Sequence, residues 1–355
     1  MPTSSTLKHS LLAACLFSVC LAGCKDKKAA PAEGTPAATN KVETKTKTGG
    51  DVAPKADAPA AAGSALAYLP AGCTIAMHAD LKSLAANPVI KANVMPALRE
   101  ALAAGAKNEK DFAAFMEATG LDPFADFHEF SLCSGDIFSI GGGTPKGFMT
   151  VTGDIDKGII DALLKNSDDL DKSKVVDIKG QKSIDDDGAI FTQMADGSLS
   201  GGNLKALVEA AIDKPNAFAA DFEALGNADM RIVIPATTVT KGLGMPGSPF
   251  AQFAEKIDGA TTVGLDVGNT TLTVKIATVD ETSATELAGM AKLMLGQVPK
   301  GGEGPEGAMM AAVAAAKTAG EGKHFVMTMQ LPAEQFEMAS KLIAEAIRSE
   351  IASKD

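Results

Sequence analysis

The sequence predicts an α+β fold of two possibly duplicated halves, each an antiparallel sheet with helices on one face, preceded by a disordered N-terminal tether. Three observations point there. Short runs of period-two alternation are interleaved with runs of period 3.6 from residue 66 onward. Much the same order of elements returns in both halves. Between residues 25 and 62 Val42 and Val52 are the only larger apolar residues, and such a stretch cannot offset the entropy of ordering itself.

In the first half (63–225) the pattern predicts a strand at 74–79, a helical stretch over 81–103, strands at 127–133 and 147–153, and a helix at 156–165. A strand at 187–194 and a helix at 203–213 follow, with a further strand-like pair around 175–186. Phe112, Phe115, Met116 and Thr119 precede Gly120, a helix stop. In the second half (226–355), strands fall at 230–234, 261–266, 270–279 and 323–331, and helices at 249–256, 283–295 and 333–350. Leu272, Val274 and Ile276 alternate with Thr273 and Lys275, and Phe325, Met327, Met329 and Leu331 share one face. Leu287, Met290, Ala291, Met294 and Leu295 form a helical stripe, as do Phe336, Ala339, Leu342, Ile343, Ala346 and Ile347. Asp156, and Thr282 or Ser283, are placed as N-caps. The closest local parallel between the halves is Val151–Asp156 beside Ile276–Glu281, each leading into a helix.

The start of the chain has its own physical order. Lys8 and His9 are followed by an apolar run from Leu11 to Leu21, then by Ala22, Gly23 and Cys24. That run is too short to cross a hydrocarbon core, which needs roughly 20 helical residues, but it suits the central region of a signal peptide. Leu21-Ala22-Gly23-Cys24 resembles the lipobox of bacterial lipoproteins. The resemblance implies removal of residues 1–23, diacylglycerol on the Cys24 thioether, and a further acyl chain such as palmitate on the new amine. Two or more chains make a stable anchor, at about 0.8 kcal/mol per buried methylene. It also implies a cell-envelope address, with Lys25 favouring the outer membrane over the inner and the body periplasmic or surface-exposed. Cys15 and Cys20 lie in the removed segment.

Residues 24–62 read as an Ala/Pro/Lys-rich linker with a root-mean-square reach of roughly 35 Å. Its lysines either touch anionic lipid or keep the linker soluble. The linker carries seven Lys and five acids, whereas residues 63–355 carry 25 basic and 39 acidic residues, a net −14. So acidic a body argues against nucleic acid, whose phosphates need a basic footprint. An anionic membrane would repel it too, which leaves attachment to lipid on Cys24.

Candidate sites are few. Cys73 and Cys133 are the remaining thiols, each on or beside a predicted strand, and they read as a disulfide or as two buried thiols. A bond would close a loop of about 60 residues and contribute around 4 kcal/mol in a chain-entropy account. His78, His128 and His324 all fall on strands. His78 with Asp80 and His128 with Glu129 would meet if their strands were neighbours, but a zinc site needs three or four convergent ligands, so no metal is expected. Asp185, Asp186 and Asp187 before Gly188, near Asp168, Asp169 and Asp171, lack the spacing of a calcium loop and suit a hairpin turn. Gly141–Gly147 lacks the Gly-Lys-Ser/Thr ending of a phosphate loop, and Gly242–Pro249 and 296–307 read as turns. No Gly-x-Ser-x-Gly elbow occurs. Fifteen methionines fill a core poor in aromatics, or line an adaptable apolar surface.

Leu69-Pro70-Ala71-Gly72 before a strand and Leu331-Pro332-Ala333 before the last helix resemble uncharacterised exported bacterial lipoproteins, which implies no activity. The expectation is a non-enzymatic binding or scaffolding lipoprotein without cofactor, contacting an envelope protein or polymer. The alternative is a carrier holding an apolar ligand such as lipid between helices and a Met-lined sheet.

Overall fold

The computed structural model describes residues 64–108, 116–117, 119–135, 147–155, 158–166, 174–186, 188–203, 205–226, 228–243, 254–298 and 304–352. Residues 1–63, which include the expected leader, Cys24 and the expected linker, lie outside them, as do Asp156, Phe112 and Phe115.

Among the described residues, twelve strands form one antiparallel sheet. They are β1 (Ile75–Asp80), β2 (Phe127–Ser134), β3 (Gly147–Gly153), β4 (Val175–Ile178), β5 (Gln181–Asp186) and β6 (Ala189–Gln193). The rest are β7 (Leu199–Gly202), β8 (Met230–Ile234), β9 (Ile257–Asp266), β10 (Thr271–Thr278), β11 (Lys317–Glu321) and β12 (His324–Gln330). Their order across the sheet is β11-β12-β10-β9-β8-β1-β2-β3-β7-β6-β5-β4. The first strand of each half meets the other at the centre, where Ala76 faces Val233 and Ala79 faces Met230.

Several expected elements divide on inspection of their backbone. The helical stretch from 81 breaks into α1 (Leu81–Ala86) and α2 (Pro88–Asn108), with extended Asn87 between them. Proline disfavours helical geometry in the residue before it, which explains the break. Asp80 caps α1 through Ser83 N–H at 2.9 Å. The expected strand at 187–194 is β6 alone, and the pair near 175–186 is a hairpin whose turn, Lys179-Gly180, has φ of 51° and 80°. Both central residues left-handed is the geometry of a two-residue hairpin loop. Asp280, not Thr282 or Ser283, caps α7 (Glu281–Gln297), accepting from Ser283 N–H at 2.7 Å.

The remaining helices are α3 (Ile159–Asn166), α4 (Lys205–Ile212), α5 (Ala219–Glu223), α6 (Ala236–Leu243), α8 (Gly304–Ala314) and α9 (Ala333–Ala352). Against the expectation of one covered face, both faces of the first half are packed. On one, Ala76, Cys133, Phe148, Ile190 and Val233 meet Tyr68, Leu69, Val208 of α4 and Phe222 of α5. On the other, Met77, Phe130, Val151, Ile184 and Leu199 meet Leu121, Ile155 and Ile159 and Ile160 of α3. Central strands therefore bury both sets of alternating side chains, and β1 is buried from Ala76 through Ala79. In the second half α7 lies on the second face, where Leu287 and Ala288 pack against Phe325, Ile276 and Met327. Helices α2 and α9 run side by side in the same direction, with Val94, Ala97 and Ala101 against Ala344 and Ile347. Arg348 donates to both oxygens of Glu100 at 2.7 and 3.3 Å.

Close approach of β3 to the loop before β2 demands glycine at 153, because a Cβ there would lie 1.9 Å from the carbonyl oxygen of Asp126. Gly153→Ala is expected to destabilise the fold by about 1–3 kcal/mol through forced backbone movement, read as a lower chemical-denaturation midpoint.

Candidate functional site

A cleft of about 510 Å³ opens where α1, α2, the β9–β10 turn and α9 converge at one end of the sheet. Its walls include Val89, Val267 and Phe336, and its polar members include Ser83, Asn87, Asp229 and Asp266. Among the described residues, no methionine lines it.

The polar groups of the cleft are held by one another. Asp229, nearly buried, accepts from Ser83 Oγ and from Val267 N–H at 2.7 Å, and its carbonyl accepts from Asp80 N–H at 2.8 Å. Asn87 donates to the Val267 carbonyl at 2.9 Å while its Oδ1 caps α2 through Val89 and Ile90 N–H. Asp266 accepts from Asn269 N–H and side-chain Nδ2 at 2.8 and 2.7 Å. The network ties the β1–α1 junction to the start of β8 and the β9–β10 turn. In chemical terms it fixes three chain segments together and presents a mildly acidic, part-apolar hollow.

A second polar feature crosses the sheet on its first face. Pairing places His78 opposite Ser131, Ser131 opposite Thr150, Thr150 opposite Ser200, Ser200 opposite Thr192, and Thr192 opposite Ser183. All six are buried. Their hydroxyls bond across strands, Thr150 with Ser200 at 2.9 Å and Ser183 to Thr192 at 2.8 Å, and His78 Nδ1 lies 3.2 Å from Ser131 Oγ. Mutual bonding removes the penalty that an unpaired buried hydroxyl would carry. Burial, and then the charge of Arg231, push the His78 imidazole down to about 3, so it is neutral near pH 7. This row was not legible in sequence, because it is built from residues on six separate strands.

The other residues singled out from sequence scatter. His128 pairs with Asp154 at 3.0 Å, while His324 is exposed on β12. Among the described residues, no three His, Cys, Asp or Glu side chains gather as metal ligands. Asp185 accepts from Gly188 N–H at 3.0 Å in the β5–β6 turn, and Asp168, Asp169, Asp171 and Asp187 lie outside the described residues. So do 141–146, 244–253 and 299–303; the rest of 296–307 includes the end of α7 and the start of α8. The methionines divide. Met77, Met194 and Met329 are buried, whereas Met294 and Met310 are 48% and 37% exposed, as is Leu293 of α7 at 71%. No described helix is long and apolar enough to cross a membrane.

Cys73 and Cys133 come together on the first face, with Cα atoms 5.2 Å apart and sulfurs at bonding distance. Both are buried in the main core cluster beside the opening segment of the body. That segment is held firmly. Ser64 Oγ and Ala65 N–H donate to Glu129 at 2.6 and 2.9 Å, and Tyr68, fully buried, donates to Asp196. Lys214 also binds Asp196 at 3.0 Å and sits 4.9 Å from the Tyr68 ring centre. Burial alone would raise the Asp196 carboxyl, but hydrogen bonds from Tyr68, Lys214 and Ser198 hold it at about 2.

No family model matches the chain, and no curated protein matches it. Solved structures of a protein designated TP0453 are distantly similar. Its crystal form IV has a TM-score of 0.40 at 11% identity over 81% of this chain and 97% of that one. Form III gives 0.38 at 12% identity, over 81% and 98%.

His78 makes a pH prediction. Its folded pKa lies below the unfolded value of 6.5, so as pH falls toward about 3 the unfolded chain takes up a proton that the folded chain refuses. Stability is expected to fall through that window, by about 2–3 kcal/mol from this group over two pH units. Denaturation midpoints compared between wild type and His78→Gln at about pH 6.5 and 4.5 check it; an equally steep loss in the variant would remove His78 as the cause.

Proposed function

We propose that this chain is a bacterial envelope lipoprotein: exported, cut before Cys24, acylated there, and displaying its α+β body as a non-enzymatic binding or scaffolding surface. The observation that carries the reading is Leu21-Ala22-Gly23-Cys24 closing a short apolar run, followed by a linker without core-forming residues. Lys25 favours the outer membrane over the inner, with the body periplasmic or surface-exposed. A binding role is supported by exposed large apolar side chains, Leu293, Met294, Met310 and Leu342, on the helices of the second half. Leu293 and Met294 are adjacent on α7, and contiguous apolar surface is a common mark of a partner site.

The body reads as a duplication. In the first half the sheet runs β1-β2-β3-β7-β6, in the second β8-β9-β10-β12-β11, and β1 and β8 pair at the midpoint. Helix α3 follows β3 as α7 follows β10, and the β4–β5 hairpin is an addition to the first half. In the oxidising envelope the Cys73 and Cys133 thiols lose two protons and two electrons to a disulfide-exchanging oxidant and form one bond.

Replacing Cys24 by Ala is expected to leave an unacylated chain that escapes membrane fractions. Processing and membrane retention equal to wild type would sink the lipoprotein reading. Intact mass of the body prepared in an oxidising compartment should fall two hydrogens short of the reduced sequence; the full reduced mass would overturn the disulfide.

A further inference from the structure

Resting on the reading that the chain is held by its N-terminus and that Cys73 and Cys133 bond, we propose that residues 64–72 are a load-bearing strap. The strap gives way before the sheet does, and the disulfide is its stop.

The segment between Ser64 and Gly72 forms no strand of the sheet, yet it is fastened at points on separate elements. Its first two residues share the Glu129 carboxylate on β2. The carbonyls of Ala67 and Leu69 accept from Asn216 and Ala217 N–H, at 3.0 and 3.1 Å, between α4 and α5. Tyr68 reaches Asp196 in the β6–β7 turn, and Lys214 closes over its ring. Ala65, Tyr68 and Leu69 are completely buried. Asn216 and Lys214 adopt φ of 43° and 50°, a conformation that costs non-glycine residues energy and is maintained by what surrounds it.

A pull applied at Ser64 meets these attachments one after another, because each holds a different residue of a short chain. Loaded in series, these attachments break singly, whereas the strands beyond are held by ladders of backbone hydrogen bonds. Past Gly72 the pull meets Cys73, whose link to Cys133 transfers it to β2. Strand β1 is paired with β2 on one side and β8 on the other, and β2 with β1 and β3, so the load is spread over the middle of the sheet. The strap thus lengthens under tension while the body stays folded.

The test is constant-force extension of the full chain from Cys24, held by its two ends, in oxidising buffer. Expected is a small reversible lengthening, at most about 30 Å for nine residues, at lower force than unfolding of the sheet. Tyr68→Phe should lower the force of the small step and leave the main event unchanged. In the Cys73→Ala/Cys133→Ala double variant the small step should run on into the sheet without arrest. One event with no small step in the oxidised chain, or an arrested step that persists in the double variant, overturns the strap. If the double variant does not fold, an unchanged small-step force in Tyr68→Phe overturns it. Intact mass of the same sample reports the disulfide, and fractionation of Cys24→Ala reports the anchor, so failure of either premise is separable from failure of the strap.

Discussion

Ala76 faces Val233, Met77 faces Ile232, His78 faces Arg231 and Ala79 faces Met230, and through these four pairings two stretches of chain become one sheet. Without them β1 and β8 would each present a bare edge, a row of unpaired backbone groups flanked by apolar side chains. Such an edge invites pairing with other chains. Joined, they bury Ala76 and Val233 completely, at 0% exposure in the core of the first face. Both faces of these strands then need cover, which is why helices and the opening segment pack above the sheet while α3 packs below it.

The same enclosure accounts for the polar chemistry. Hydroxyls and an imidazole on strands buried on both sides must find partners within the sheet, and they find them across strands. His78 stays neutral because burial and Arg231 both oppose its charge. At the edge of this enclosed region Asp229 is satisfied by Ser83 and Val267, so the cleft at the sheet's end is built by the joint between the halves. The opening segment is bound by the same logic: Tyr68 is wholly buried, and its hydroxyl reaches Asp196.

Much of the secondary structure could be read from residue pattern. Strands 147–153 and 230–234 have the expected bounds, because their alternation is bounded by clear turn residues. Elements without periodicity were missed. Strand β7 reads Leu-Ser-Gly-Gly and β11 reads Lys-Thr-Ala-Gly-Glu, neither with an apolar face. Helix α8, Gly-Pro-Glu-Gly-Ala-Met-Met-Ala-Ala-Val-Ala, is apolar on nearly every side after its first turn, so no stripe distinguishes it. The Met294 position in the α7 stripe is outward at 48% exposure, since the core beneath ends near Leu287 and Ala291.

The residue pattern alone determined the class of fold and the acidity of the body, because each follows from local composition or from periods of two and 3.6; it also set the expectation of a leader and a linker ahead of the body. It could name Cys73 and Cys133 without deciding whether they meet. Tertiary structure decided that, along with the single sheet, the cover on both faces, the polar row and the cleft. These depend on which strands lie side by side, and pairing between residues 76 and 233 is set by the packing of the whole chain, on which short-range pattern is silent.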